Sequence, residues 1–151
     1  MHLTATGDYA LRAVAEIAAA APKHIKAERI ARVQGIPLKF VENILTTLKH
    51  AGIVNAMRGP SGGYWLARPA DDITLADIIR AVEGPLANVR GTRPERLKYG
   101  GAASSLSDVW IAVRVNLRGV LEAVTIDHLV KGKLPAPVSQ LTHRAGARRP
   151  H

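Results

Sequence analysis

Cysteine is absent from this sequence. That excludes disulfides, thiolate zinc sites, cysteine-ligated iron–sulfur clusters and cysteine nucleophiles within the chain. Aromatic residues are scarce: Phe40, Tyr9, Tyr64, Tyr99, Trp65 and Trp110 are the whole set. The core must therefore be aliphatic. No apolar run approaches the roughly 20 residues of a membrane span. Asp8, Arg12 and Glu16 interrupt residues 1–21, which thus lack the basic start and apolar centre of a secretory signal. A cytoplasmic protein with no membrane partner is expected. Acidic residues are also in short supply, 12 against 21 Lys plus Arg, for a net charge of +9. Such a field attracts polyanions, nucleic acid above all. The excess is uneven: residues 1–84 carry 10 basic and 8 acidic side chains, and residues 85–151 carry 11 and 4. If the amino-terminal part binds DNA, it does so through clustered charge.

What is present suffices for a folded core, since 47% of residues are hydrophobic. Thr6 to Ala21 reads as a first helix, with Tyr9, Ala10, Ala13, Val14, Ile17 and Ala18 on one stripe, Thr6 at its start and Pro22 beyond its end. Lys26 to Val33 is a second, short helix with Ala27, Ile30 and Ala31 inward. Gly35 suits a left-handed helix end and Pro37 the first turn of the next helix. Leu38 to Ala51 is the third, buried through Val41, Ile44, Leu45 and Leu48 and stopped at Gly52. Ile53-Val54 and Tyr64-Trp65-Leu66 are short strands flanking the glycine-rich connection Arg58-Gly59-Pro60-Ser61-Gly62-Gly63. Thr74 to Glu83 is a fourth helix, broken by Gly84-Pro85. Residues 86–104 have no period and read as a loop. Leu106 to Val124 is the longest helix, and Thr125 caps a short turn through Leu129. Residues 132–151, with three prolines and few bulky apolar groups, read as a disordered basic tail.

Two short helices joined by a tight glycine turn form a helix-turn-helix pattern. Its second helix has the size to enter a major groove, and its first would brace it across the phosphates. The exposed face of that second helix bears Lys39, Asn43, Thr46, Thr47 and Lys49, groups suited to base edges and phosphates. The hairpin that follows resembles a DNA-docking wing. Arg58 near its tip suits a narrow minor groove, and Gly59, Ser61 and Gly62 let the backbone come close. Neither the Walker pattern nor the dinucleotide fingerprint is present around Gly59 to Gly63.

The sequence resembles the IscR/NsrR-type family of bacterial winged-helix regulators. The resemblance rests on Leu3-Thr4, Tyr9-Ala10-Leu11-Arg12-Ala13, Ile30-Ala31 through Gly35-Ile36-Pro37, and Leu45, Leu48 and Ala51-Gly52-Ile53-Val54. It is strongest in the run from Arg58 through Pro69, and it continues through Ile73 to Ile79, Val82-Glu83-Gly84, Trp110 and Thr125 to Leu129. It implies a mainly α fold with a small β-hairpin. Residues 1–84 would form a winged helix-turn-helix domain, 85–104 a loop, 105–131 a long carboxy-terminal dimerisation helix and 132–151 the tail. It also implies a homodimer on double-stranded DNA, a near-palindromic operator and, by role, a repressor. Lys39, Phe40, Glu42 and Asn43 would lie near DNA, with Arg58 in the minor groove. Glu42 is the odd member, able to accept from a cytosine amino group but repelled by phosphate. For Phe40, packing beneath the helix competes with a base contact. Leu106, Val109, Trp110, Val113, Leu117, Val120, Leu121 and Val124 would face the partner helix.

The sequence departs from the family between its fourth and long helices. Well-known members carry three cysteines there, which hold an iron–sulfur cluster; here there are none. Asp8, where some members supply a further ligand, is expected instead to be a helix-start carboxylate or to pair with Arg12 four residues on. His24, His50 and His128 show no metal-ligand spacing, so neither a metal nor a cofactor is expected. Two readings of control remain open: a small-molecule effector near Tyr99 and Trp110 beside the dimer helix, or no switch at all. With no serine–histidine–acid cluster, metal motif or cofactor loop, an enzyme is not expected. A winged-helix protein-interaction module is the competing class.

Overall fold

A computed structural model describes residues 3–150. The chain order is α1 (Ala5–Ala20), α2 (Ala27–Gln34), α3 (Leu38–His50), β1 (Val54–Met57), β2 (Gly63–Leu66), α4 (Leu75–Glu83), α5 (Leu106–Leu121), α6 (Ile126–Lys131) and α7 (Ala136–Thr142). The expected class, mainly helical with one hairpin, is what forms. β1 and β2 pair antiparallel in a register that sets Val54 opposite Leu66 and Met57 opposite Gly63.

The aliphatic stripes assemble as their spacing predicts. Ala10, Ala13, Val14 and Ile17 of α1 meet Ile30 of α2 and Val41, Ile44, Leu45 and Leu48 of α3 in one core, which Ile73, Ile78 and Ile126 complete. Side chains such as Leu45 and Ile30 are fully buried, and each contributes about 1.5–3 kcal/mol relative to exposure. α1 is the central post, packing against α2, α3, α4, α6 and β2. Thr4, not Thr6, caps it, accepting from the Gly7 amide at 3.2 Å. At the end of α2, Gly35 takes the left-handed conformation (φ 63°, ψ 36°) that the sequence anticipates.

The carboxy-terminal third departs from expectation in two places. The long helix stops at Leu121. The chain then returns to the winged domain: the Leu75 amide donates to the Val124 carbonyl at 2.9 Å, and the Ile126 amide to the Ile73 carbonyl at 2.9 Å. Val124 is therefore buried within its own chain and is not a face for a partner. Thr125 does cap the next helix, accepting from the His128 amide at 3.3 Å. The disordered tail is also corrected in part. α7 begins after Pro135, whose fixed φ suits a helix start, and Val138 on it is buried. Its few apolar residues are enough for one short amphipathic helix.

α4 and α5 are clasped by charge. Arg80 of α4 and Arg118 of α5 both donate to the Glu122 carboxylate, the Arg118 bond measuring 3.0 Å. The hydrogen bonds from Arg80 and then Arg118 hold the Glu122 carboxyl below its ordinary value. A lowered folded value means that the clasp is in force above the ordinary carboxylate range and fails as pH falls through the lowered value. Glu122→Gln should therefore lower thermal stability at neutral pH and shrink the further loss below the carboxylate range. Melting curves of both proteins from neutral to acid pH check this; parallel curves would remove the clasp.

Candidate nucleic-acid interface

The outer face of α3 and the hairpin tip are both exposed. Because Val41, Ile44, Leu45 and Leu48 point inward, helical spacing drives Lys39, Phe40, Asn43, Thr46, Thr47 and Lys49 outward, and all six are exposed. Glu42 is half-buried, 3.9 Å from Lys39. So wide a separation at a surface holds little energy and yields readily to a phosphate. The hydroxyl of Thr46 donates to the Glu42 carbonyl at 2.9 Å, and that of Thr47 to the Asn43 carbonyl at 3.2 Å. Both keep only acceptor capacity outward, which suits base amino groups better than phosphates. Phe40 is 52% exposed, with its ring edge-on to Tyr9 at 6.1 Å. It thus packs on one side and stays open on the other. With the exposed Leu38 it offers apolar surface of the kind that thymine methyls contact.

The hairpin is placed by two glycines. Gly63 has φ 131°, and a Cβ there would come within 2.8 Å of the Ile25 carbonyl oxygen. That contact exists because the segment before α2 pairs with β2: the Ile25 amide donates to the Tyr64 carbonyl at 3.1 Å and the Tyr64 amide to the Ile25 carbonyl at 2.8 Å. Gly62 is buried, and a Cβ on it would lie 2.1 Å from the Met57 carbonyl oxygen. Its assignment to DNA is therefore corrected: Gly62 is required by the close packing of the turn. Arg58, Gly59, Pro60 and Ser61 form the exposed tip. His24 stacks on Trp65 with ring centroids 4.2 Å apart, and the Lys26 ammonium donates to the Gly59 carbonyl. Sequence spacing pointed to neither residue, because nothing in the chain order links positions 24–26 to the wing before the strands are paired.

Asp8 pairs with Arg12 at 3.1 Å as expected, and the Arg12 guanidinium also lies over the Tyr9 ring and donates to the Gln34 carbonyl. Of the residues expected on the dimer face, Val109 and Val113 are exposed, and Leu106, Trp110, Leu117, Val120 and Leu121 are half-buried. No residue of α5 is buried within the chain. Trp110 donates through Nε1 to the Tyr99 hydroxyl at 3.1 Å, and Arg114 pairs with Glu95, so two contacts hold the 86–104 segment onto α5. Two short 3-10 turns, Pro94–Arg96 and Gly101–Ala103, interrupt this loop.

A family profile described as Rrf2, iron-dependent transcriptional regulator, matches residues 3–132. The chain is 42% identical over 142 residues to a Mycobacterium tuberculosis protein named as the HTH-type transcriptional regulator Rv1287, covering 93% of this chain and 88% of that one. Among solved structures it is similar to CymR, titled the global cysteine regulator of B. subtilis (TM-score 0.76, 29% identity, 88% of this chain and 98% of that one). It is likewise similar to T. potens IscR (TM-score 0.71, 28% identity, 87% and 88%). These relatives are named as transcriptional regulators, not as enzymes. The iron of the family's description does not fit the residues present. The 86–104 segment holds no cysteine or histidine and one carboxylate, Glu95, which Arg114 already occupies. Among the described residues no three His, Asp or Glu side chains are grouped to hold a metal ion, and no helix is long and apolar enough to cross a membrane.

The turn analysis carries its own test. Gly62→Ala should cost at least about 1–3 kcal/mol of stability, because its methyl meets backbone that cannot swing aside. Ser61→Ala, one residue away and exposed, should stay within about 0.5 kcal/mol. Denaturant unfolding of both variants separates the two; equal stabilities would show that the turn tolerates a side chain.

Proposed function

The chain belongs to the Rrf2 family of transcriptional regulators, and from that premise we propose that it is a cytoplasmic repressor that binds a near-palindromic operator as a homodimer. The observation that carries this reading is the coincidence of two surfaces: the outer face of α3, with Lys39, Asn43, Thr46, Thr47 and Lys49 exposed and the arginine-tipped hairpin next in the chain, and α5, which has no residue buried in its own chain and exposes Val109, Val113 and Val115. The first suits one half-site. The second suits pairing with the same helix of another copy, which would bring two recognition helices to one face of the duplex.

In this reading α3 enters the major groove. Lys39 and Asn43 reach base edges, the Lys39–Glu42 pair opens, and Glu42 accepts from a cytosine amino group. Thr46 and Thr47 accept from bases, and Lys49 neutralises phosphate. Arg58 follows the wing tip into the minor groove, where negative potential is concentrated. Lys26 is drawn close to the same phosphate strand by its bond to Gly59. Repression follows from occupancy: a dimer seated on a promoter blocks it.

Three measurements test the reading. Gel-shift titration against the chain's own upstream DNA and a scrambled control, at two salt concentrations, should show preferential retardation of the upstream fragment that weakens with salt. Arg58→Ala should cost about 1–3 kcal/mol of operator affinity, whereas Lys49→Ala should weaken all sequences alike and reduce the salt slope by about 1. Unchanged operator affinity for Arg58→Ala would remove the wing from the mechanism. Val109→Glu, at a site 49% exposed, should yield a monomer in sedimentation while leaving the winged domain folded. A dimer that survives this change would place the partner elsewhere.

A further inference from the structure

A cavity of about 430 Å³ opens where three parts of the chain meet. The winged domain supplies Leu11 and Ile79, the segment after α4 supplies Leu86 and Val89, and α5 supplies Trp110 and Leu117. Its size suits a small molecule, and its wall is mostly apolar with few polar groups, as ligand sites are. Glu83 is the one charged side chain on the wall, and Asn88 the one amide. The chain carries +9, yet no lysine or arginine lines this cavity. An anion entering it would lose water without gaining a cationic partner, whereas a cation meets a carboxylate. One Glu83 oxygen accepts from the Thr4 amide and hydroxyl; the other has no hydrogen-bond partner among the described residues.

The backbone singles out the same place. Ala87 (φ 53°) and Arg90 (φ 52°) are the two non-glycine residues with positive φ among those described, and Ala87 forms part of the wall. Side-chain-bearing residues rarely adopt this conformation, and where they do, ligand clamps and switch regions are common settings.

We propose that this cavity binds an amphipathic amine, with its apolar body between Leu86, Trp110 and Leu117 and its ammonium group on Glu83. Because the walls belong to the winged domain, the loop and α5 together, occupancy sets the angle between α5 and α3. In the dimer that angle fixes the spacing of the recognition helices. This second half alone rests on the regulator reading above. Val109 and Val115 are exposed and lie outside the wall, whereas Trp110, Val113, Leu117 and Leu121, which the family resemblance sets toward a partner helix, line it, so ligand and second copy compete for part of α5 and the test must separate them.

The test uses the full chain, nitrogen-15 labelled, and three probes of one shape: 4-phenylbutylamine, 4-phenylbutanol and 4-phenylbutanoate. The chain has two tryptophans, so two indole N–H resonances report separately on the cavity and the wing. The amine should move the Trp110 signal and leave that of Trp65 in place, and it should bind at least about tenfold more tightly than the carboxylate. Glu83→Gln should erase the preference of amine over alcohol while keeping alcohol affinity. Leu117→Trp should abolish binding of all three. A Trp110 signal unmoved by every probe at about millimolar concentration would overturn the site. So would a carboxylate that binds as tightly as the amine, or a Leu117→Trp variant that still binds. If Leu117→Trp instead turned a dimer into a monomer, the cavity would be the seat of a second copy and the proposal would fall. None of these measurements uses DNA, so they stand even if operator binding fails. Given binding, an operator affinity that the amine leaves unchanged would overturn the coupling alone.

Discussion

The interface depends on one close approach: the pair of hydrogen bonds between Ile25 and Tyr64 that ties the hairpin to the helical body. An isolated two-stranded hairpin is marginal in water at best. Here it gains a third strand segment, a stacked His24–Trp65 pair and the Lys26 bond to its tip. All of these require backbone to pass backbone at the distance Gly63 permits. The wing is thus positioned from the segment before α2, and the α2–α3 pair and the arginine-bearing tip are held in one frame. A glycine that looks like a turn residue in the sequence is in fact the point where two elements meet.

α1 supplies the complementary constraint. Its small residues, Ala10 and Ala13, let α3 and α4 pack close, while Val14 and Ile17 fill the centre. Interiors at native density tolerate little change in volume, so the orientation of α3 is set from behind by residues far from any ligand. The outward residues of α3 need no contacts of their own to be placed. That is why they can be exposed, polar and free for a partner.

Most of the winged domain was legible because its signals are local. The three- and four-residue spacing in α1, α3 and α4, Gly35 at a left-handed helix end and a glycine-rich connection between short strands all correspond to what formed. The failures came where long-range pairing decides. Leu106 to Val124 keeps helical spacing throughout, but Val124 leaves the helix because its carbonyl is taken by Leu75. Gly62 looked free to approach a ligand, yet the Met57 carbonyl lies against it. Lys26 gave no signal at all, since its value rests on a partner 33 residues away. The short helix α7 was hidden by its prolines, one of which starts it.

The absence of cysteine has a structural consequence beyond the loss of thiolate chemistry. A segment of this length without regular structure must be tied down by something, because ordering each residue costs about 1–2 kcal/mol in backbone entropy. A metal centre would supply many kilocalories at one point. This chain spreads the task over small contacts: the Arg114–Glu95 pair, the Trp110–Tyr99 hydrogen bond and the buried side chains of Pro94 and Leu86. The backbone amide of Glu95 and then Arg114 hold the Glu95 carboxyl below its ordinary value, so the pair is charged at neutral pH. Exposed ion pairs and single hydrogen bonds are individually weak ties. A segment held by several separate small ties, and not by one strong centre, is the part of this fold on which binding in the adjoining cavity would act.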